Sequence, residues 1–248
     1  MAKNTDSNTY TVLFATGMVI IVGALLAFLA ASLKDKISEN KRIEKQQNIL
    51  YAIGVNENDD SSVEFVSKSI VGQEFLKHIT KQFIVTGTVA VEDPKAYLID
   101  IKKEATAAKD LNYKRRLPLF IGVKDGEEFY IIPVRGKGLW DAIWGYVALD
   151  KELVIQGVYF DHAGETPGLG ANIKERFFMD DFKGEHILDG DTFKGVEISK
   201  SNADPKNLDK TDHQIDAIAG ATITGNGLGA MLKKDLQLYM PYLKTLKQ

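Results

Sequence analysis

Cysteine is absent from all 248 residues. That excludes disulfides, iron–sulfur ligation and thiolate catalysis, so any electron carried here needs a borrowed cofactor. Histidine is scarce: His78, His162, His186 and His213 stand apart without metal-ligand spacing. His162 with Asp161 and Glu165 could be read as a metal or acid–base group. No further ligand pair accompanies them, and the reading preferred is a strand-end surface cluster. Charge is nearly balanced, at −3, with both signs mixed and no basic stripe among aromatics. A nucleic-acid partner therefore has no electrostatic support. No Gly-Lys-Ser/Thr occurs, which removes the P-loop. Gly225-x-Gly227-x-x-Ala230 imitates a dinucleotide fingerprint, but only 18 residues follow it, too few for the second strand and its acidic residue. No internal repeat or low-complexity tract is visible.

Charge is also missing from Ser7 to Leu33, and here the absence is informative. Thr11 to Leu33 is mostly Val, Leu, Ile, Phe and Ala, and at roughly 1.5 Å per helical residue it covers the roughly 30 Å hydrocarbon layer. A cleaved signal peptide is the alternative, with Ala30-Ala31-Ser32 as small residues for a protease. The apolar stretch is long for one, and Asp6 offsets Lys3, so an uncleaved anchor in the lipid bilayer is expected. Lys34, Lys36, Lys41, Arg42 and Lys45 follow the span, which by the positive-inside rule puts the large domain in the cytoplasm.

Near the C-terminus, Asp216-Ala217-Ile218-Ala219-Gly220-Ala221-Thr222-Ile223-Thr224 leads through Gly225-Asn226-Gly227-Leu228-Gly229 into an amphipathic helix. A glycine-rich turn before a helix start offers unobstructed N–H groups and a positive dipole end, the chemistry of a phosphate site. A plain helix cap by Thr222 or Thr224 is the competing reading, and both can hold together.

This segment resembles the flavinylation motif of FMN-binding domains, Asp-x-x-(Ser/Thr)-Gly-Ala-(Ser/Thr)-x-Thr, departing from it at Ala219. The resemblance implies FMN joined through its phosphate to Thr224 by a flavin transferase, with Asp216, Gly220, Ala221, Thr222 and Gly225 around the attachment. Gly136-Lys137-Gly138-Leu139-Trp140 through Tyr146, and Gly164-Glu165-Thr166-Pro167-Gly168-Leu169-Gly170-Ala171, further resemble the NqrC family, a membrane-anchored component of sodium-translocating NADH:quinone oxidoreductases. With the anchor, the resemblance spans nearly the whole chain. It implies that both segments line the flavin-ring pocket, where Leu139, Trp140, Thr166, Gly168 and Leu169 are the candidates for contact. Trp140 and Trp144 could instead be core aromatics at helical spacing, the reading preferred for Trp144. The resemblance also implies an electron-relaying member of a bacterial inner-membrane complex, with the other subunits as partners and its flavin domain on the periplasmic side. That side conflicts with the lysine count; large domains can translocate despite such bias. Two alternatives stay open: the related G-type flavoprotein of an Rnf complex, and a non-redox membrane-anchored flavin- or phosphate-binding domain.

The expected fold is α+β, a mainly antiparallel sheet with flanking helices behind one membrane helix. The expected division is a tail at 1–10, an anchor at 11–33, a helical stalk at 34–54 ending in a Gly54 cap, and an FMN-binding domain at 55–248. Asn56 to Ser62 reads as a loop. Periodicity predicts a helix over Val63–Lys81 with Ser62 as cap, strands at Leu117–Val123, Glu128–Arg135, Tyr146–Asp150 and Leu153–Asp161, and a short helix at Ala171–Phe178. Asp125-Gly126 signals a hairpin. Glu92–Arg116 gives weak signals, and Lys183–Gln214 reads as polar loops with short strands around Val196–Ile198.

Overall fold

The computed structural model describes residues 7–58, 62–201 and 203–246; residues 1–6 of the expected tail and Asp59, Asp60 and Ser61 of the expected loop lie outside them. Contacts divide the chain into Met1–Ile43 and Glu44–Gln248. Helix α1 runs Asn8–Ala52 and is long and apolar enough to cross a membrane. Val12, Leu13, Phe14, Ile20, Ile21, Leu25, Leu26 and Phe28 are all exposed on it, a distribution suited to lipid and not to a soluble core. It stops at Gly54, whose φ of +71° admits glycine without strain. The Val55 N–H donates to the Leu50 carbonyl and the Gly54 N–H to that of Tyr51, the paired bonds of a Schellman cap.

The second unit is built on a six-stranded antiparallel sheet of order β2-β1-β3-β4-β5-β6. Its strands are β1 Ile79–Thr86, β2 Val89–Glu92, β3 Leu117–Lys124, β4 Glu127–Lys137, β5 Ala142–Leu149 and β6 Ile155–His162. The last four match expectation to within a few residues, and Asp125-Gly126, with φ of +53° and +84°, forms the tight turn between β3 and β4. The helix expected over Val63–Lys81 is shorter: α2 spans Val71–His78, with Ile70 and not Ser62 at its cap position. Its C-terminal end becomes β1, where Ile79, Thr80, Ile84, Val85 and Thr86 supply β-branched side chains that favour a pleated strand. Between β2 and β3 lie a 3-10 turn at Ala96–Leu98 and α3, Ile101–Ala107, capped by Asp100 accepting from the N–H groups of Lys102 and Lys103.

After β6 the expected helix at 171–178 is two pieces, a 3-10 turn Gly170–Lys174 and α4 Arg176–Asp180. Then come the hairpin β7 Leu188–Asp189 and β8 Thr192–Phe193, and the parallel pair β9 Glu197–Ile198 and β10 Gln214–Ile215. Helix α5 runs Thr222–Leu246, so Gly225, Gly227 and Gly229 lie inside its first turns and not in a preceding loop.

What positions the site is how α5 lies on the sheet. Leu228, Met231, Leu232, Leu236, Tyr239, Met240 and Leu243 are buried along one stripe of α5, each worth about 1.5–3 kcal/mol when fully buried. Along β4 the order of contacts reverses that of α5. The Arg135 N–H donates to Asp235 Oδ2 at 2.7 Å, Gly136 lies against Met231, and Gly227 against the Lys137 carbonyl. Side chains at Gly136 or Gly227 would collide there, so these glycines set the depth of the helix. Its N-terminus thus arrives where the β4–β5 loop, residues 138–141, and the loop after β6 both leave the sheet.

Candidate functional site

The turn before α5 has φ +71° at Gly220, and the first bond of the helix ladder is Gly225 N–H to the Ala221 carbonyl. The N–H groups of Thr222, Ile223 and Thr224 precede that bond. Alanine at the cap position has no side-chain acceptor to offer them, which leaves the helix start open to an external anion. A capping role for Thr224 does not survive: its hydroxyl donates to Glu165 Oε2 at 2.6 Å, across 59 residues of chain.

Glu165 is the centre of the arrangement. It is only 4% exposed and Thr224 1%, so water cannot replace their hydrogen bond. The surface cluster expected for Asp161, His162 and Glu165 is thereby corrected for Glu165. Its Oε1 accepts from the N–H of Trp140 at 2.9 Å and of Asp141 at 3.4 Å, and Oε2 from that of Leu139 at 3.3 Å. Its own N–H donates to His162 Nδ1 at 3.1 Å. Burial works to raise the carboxyl pKa, but the Thr224 hydroxyl and the three N–H groups outweigh it and hold the pKa below the ordinary value. One carboxylate thus ties the β4–β5 loop, the loop after β6 and the start of α5 together.

Two loop glycines make room for it. A Cβ on Gly138 would stand 2.5 Å from Glu165 Oε1, and one on Gly170 would stand 2.6 Å from Oε2 and also strike the Thr224 hydroxyl. These glycines leave room for the buried carboxylate.

Beside Thr224 opens a cavity of about 230 Å³, lined by Leu139, Glu165, Thr166, Leu169, Gly170, Gly220, Ala221, Thr222, Ile223 and Thr224. Seven residues expected at the site, Leu139, Thr166, Leu169, Gly220, Ala221, Thr222 and Thr224, are brought together here. Trp140 stands outside the lining but donates from Nε1 to Thr166 Oγ1 at 3.1 Å. Gly168, at φ +76°, shapes the loop, and Gly225 packs on Ile198. Asp216 is away from the cavity, accepting the Asp204 N–H on Oδ2 at 2.9 Å and so fixing the chain that enters the motif. Trp144 lies on β5, not on a helix, with the Arg135 guanidinium 5.8 Å above its ring. Glu165, Gly170 and Ile223 were missed as site residues; only their places within the two motifs signalled them.

The cavity is small beside the roughly 300–1,000 Å³ of pockets that engulf a drug-sized ligand. It suits one end of a cofactor. Leu139 at 43%, Trp140 at 66%, Leu169 at 40% and Ile223 at 57% exposure put apolar surface at or near its rim. Among the described residues no group of His, Asp and Glu could hold a metal ion.

Residues 138–237, which include both loops and the start of α5, match the FMN-binding domain family. The NqrC protein of the Na(+)-translocating NADH-quinone reductase of Pseudomonas aeruginosa is 32% identical over 245 residues, covering 92% of this chain and 91% of that one. The chain belongs to the NqrC family. The Neisseria meningitidis NqrC is 28% identical over 261 residues, covering 100% and 98%. The crystal structure of the Parabacteroides distasonis NqrC matches with a TM-score of 0.72 at 33% identity, over 85% of this chain and 96% of that one. Shewanella oneidensis NqrC matches in fold with a TM-score of 0.65 at 24% identity, over 84% and 98%. NqrC membership and α1 together make this a membrane-anchored protein with an FMN-binding domain.

Proposed function

We propose that this protein relays electrons within a membrane-bound, Na⁺-translocating NADH:quinone reductase, through an FMN held by a phosphoester to Thr224. The observation that carries the attachment is the Thr224 hydroxyl: a buried nucleophile on a cavity wall, beside N–H groups that no side chain among the described residues caps. NqrC membership supports the complex, its other subunits as partners, and the quinone reductase reaction as a property of the assembly.

The residues fit the cofactor at both ends. The N–H groups of Thr222, Ile223 and Thr224 would face the phosphate, which needs donors and a positive helix end. A Cβ on Gly220 would stand 2.7 Å from Leu169 Cδ2 across the cavity lining, so glycine there keeps that wall in place. A ring anchored at one end needs planar apolar contact at the other, and Leu139, Leu169 and the neighbouring Trp140 offer it at the cavity rim. Bound FMN supplies the redox chemistry; the chain orients it, limits its solvent contact and sets the polarity around it. Partial exposure of these contacts suits an electron relay, because a partner's redox group must come close.

Among the residues around Thr224 no set could activate and transfer a flavin phosphate unaided, so we assign attachment to a flavin transferase. We place the domain on the periplasmic side of the bacterial inner membrane, against the lysine bias, on the strength of the family resemblance. Protease added to intact spheroplasts should then digest the domain; protection until lysis would reverse the assignment. Flavin attachment is tested by in-gel fluorescence after boiling in detergent. Label should vanish in Thr224→Ala and largely persist in Thr222→Ala. Full label in Thr224→Ala would remove the acceptor assignment.

A further inference from the structure

The Thr224 hydroxyl points at a carboxylate whose other partners are all neutral N–H groups, and among the described residues no lysine or arginine pairs with Glu165. Resting on the covalent reading above, we propose that Glu165 receives the Thr224 proton during flavin attachment and keeps it afterwards, as the acceptor protein's own contribution to that reaction.

The chemistry requires a destination for the proton. Esterifying an alcohol needs an activated phosphoryl group, so the co-reactant is a flavin phosphoanhydride presented by the transferase. The Thr224 Oγ–P bond forms while the anhydride P–O bond breaks, and the bonding pair departs with the phosphate-containing leaving group. Among the described residues the hydroxyl proton has one acceptor in contact, Glu165 Oε2 at 2.6 Å. A carboxylate so placed is the arrangement by which the catalytic-loop Asp of protein kinases accepts a substrate hydroxyl proton.

Retention of the proton follows from charge. Before attachment, the Thr224 hydroxyl is one of the groups stabilising ionised Glu165. After it, that donor is gone and a phosphodiester anion stands in its place. Two adjoining anions in a site this buried disfavour double ionisation. The titratable neighbours are His162, which accepts the Glu165 N–H, and Asp141, which faces it through its backbone N–H; neither donates a side-chain proton to the carboxylate. Protonated Glu165 satisfies the charge and gains a hydroxyl able to donate to a phosphoester oxygen.

The test uses full-length protein made without flavin transferase, then mixed with transferase and flavin dinucleotide as the anhydride, following covalent fluorescence with time. Glu165→Gln keeps the size and one carbonyl acceptor for Thr224 but cannot take the proton. It should label about 10²–10⁴-fold more slowly than wild type, with Glu165→Asp in between. Equal rates in wild type and folded Glu165→Gln would overturn the proposal while leaving covalent attachment intact. A wild-type chain that takes no covalent flavin would end both. If Glu165→Gln fails to fold, infrared difference spectra of wild type still decide. Flavinylated minus unlabelled protein should show a new protonated-carboxyl stretch, with buried Glu185 cancelling between the two states. Absence of that band would overturn retention of the proton by Glu165.

Discussion

Replacing Thr224 by valine removes the hydroxyl and leaves the shape, which isolates its bond to Glu165. Both residues are essentially buried, at 1% and 4% exposure, so no water is expected to substitute. A hydrogen bond to a charged group is worth about 1.5–3 kcal/mol. The isostere leaves little cavity, so about 2 kcal/mol is the expected loss, or a fall in Tm of about 4–8 °C for a unit of this size. The loss should depend on pH in a defined direction. Glu165 has a folded pKa below its ordinary 4.5, so its stabilisation is present above 4.5 and lost as pH falls through the lower folded value. The gap between wild type and Thr224→Val should therefore be full at pH 7 and close under acid conditions. Thr222→Val, on an exposed residue, should lie within about 0.5 kcal/mol of wild type at either pH. Thermal unfolding of unflavinylated full-length protein in detergent, at pH 7 and in acid, measures all of this. A Thr224→Val protein as stable as wild type at pH 7 would refute the buried-pair reasoning.

Three further outcomes follow from the same geometry. Glu185 has no exposed surface, and burial raises its pKa to about 7 despite the Asn207 side-chain bond. A raised folded pKa means stability is lost as pH climbs from about 4.5 to 7, by up to about 3 kcal/mol, and chemical denaturation of Glu185→Gln should show that slope flattened. Gly229→Ala meets only ordinary contacts and should gain about 0.5–1 kcal/mol of helix stability, whereas Gly227→Ala meets the Lys137 carbonyl and should lose about 1–3 kcal/mol, both read by denaturant titration. Trp140→Ala and Leu169→Ala should keep full flavin label yet alter its reduction potential and visible spectrum in a redox titration; unchanged values in both would move these residues out of the ring site.

Local signals carried much of the fold. Short apolar runs between Leu117 and Asp161, punctuated by Asp125-Gly126, predict the four strands that form the middle and one edge of the sheet. The same reading lost β1, because Phe75 and Ile79 extend a helical spacing past the residue where β-branched side chains take over. The candidate site was legible as two glycine segments and a helix start, but its organising residue was not. Glu165 is buried by N–H groups 24 to 26 positions away and by a hydroxyl 59 positions away, and no local pattern encodes those meetings. For the same reason nothing local marks Gly138 and Gly170 as the glycines that the carboxylate beside them requires.

A covalent flavin at Thr224 is the central claim, and the mass of the protein purified from its native membrane tests it most directly. The intact chain should be heavier by one FMN less one water, and fragmentation of the labelled peptide should put that increment on Thr224. An unmodified mass, or an increment on Thr222 or any other residue, would contradict it.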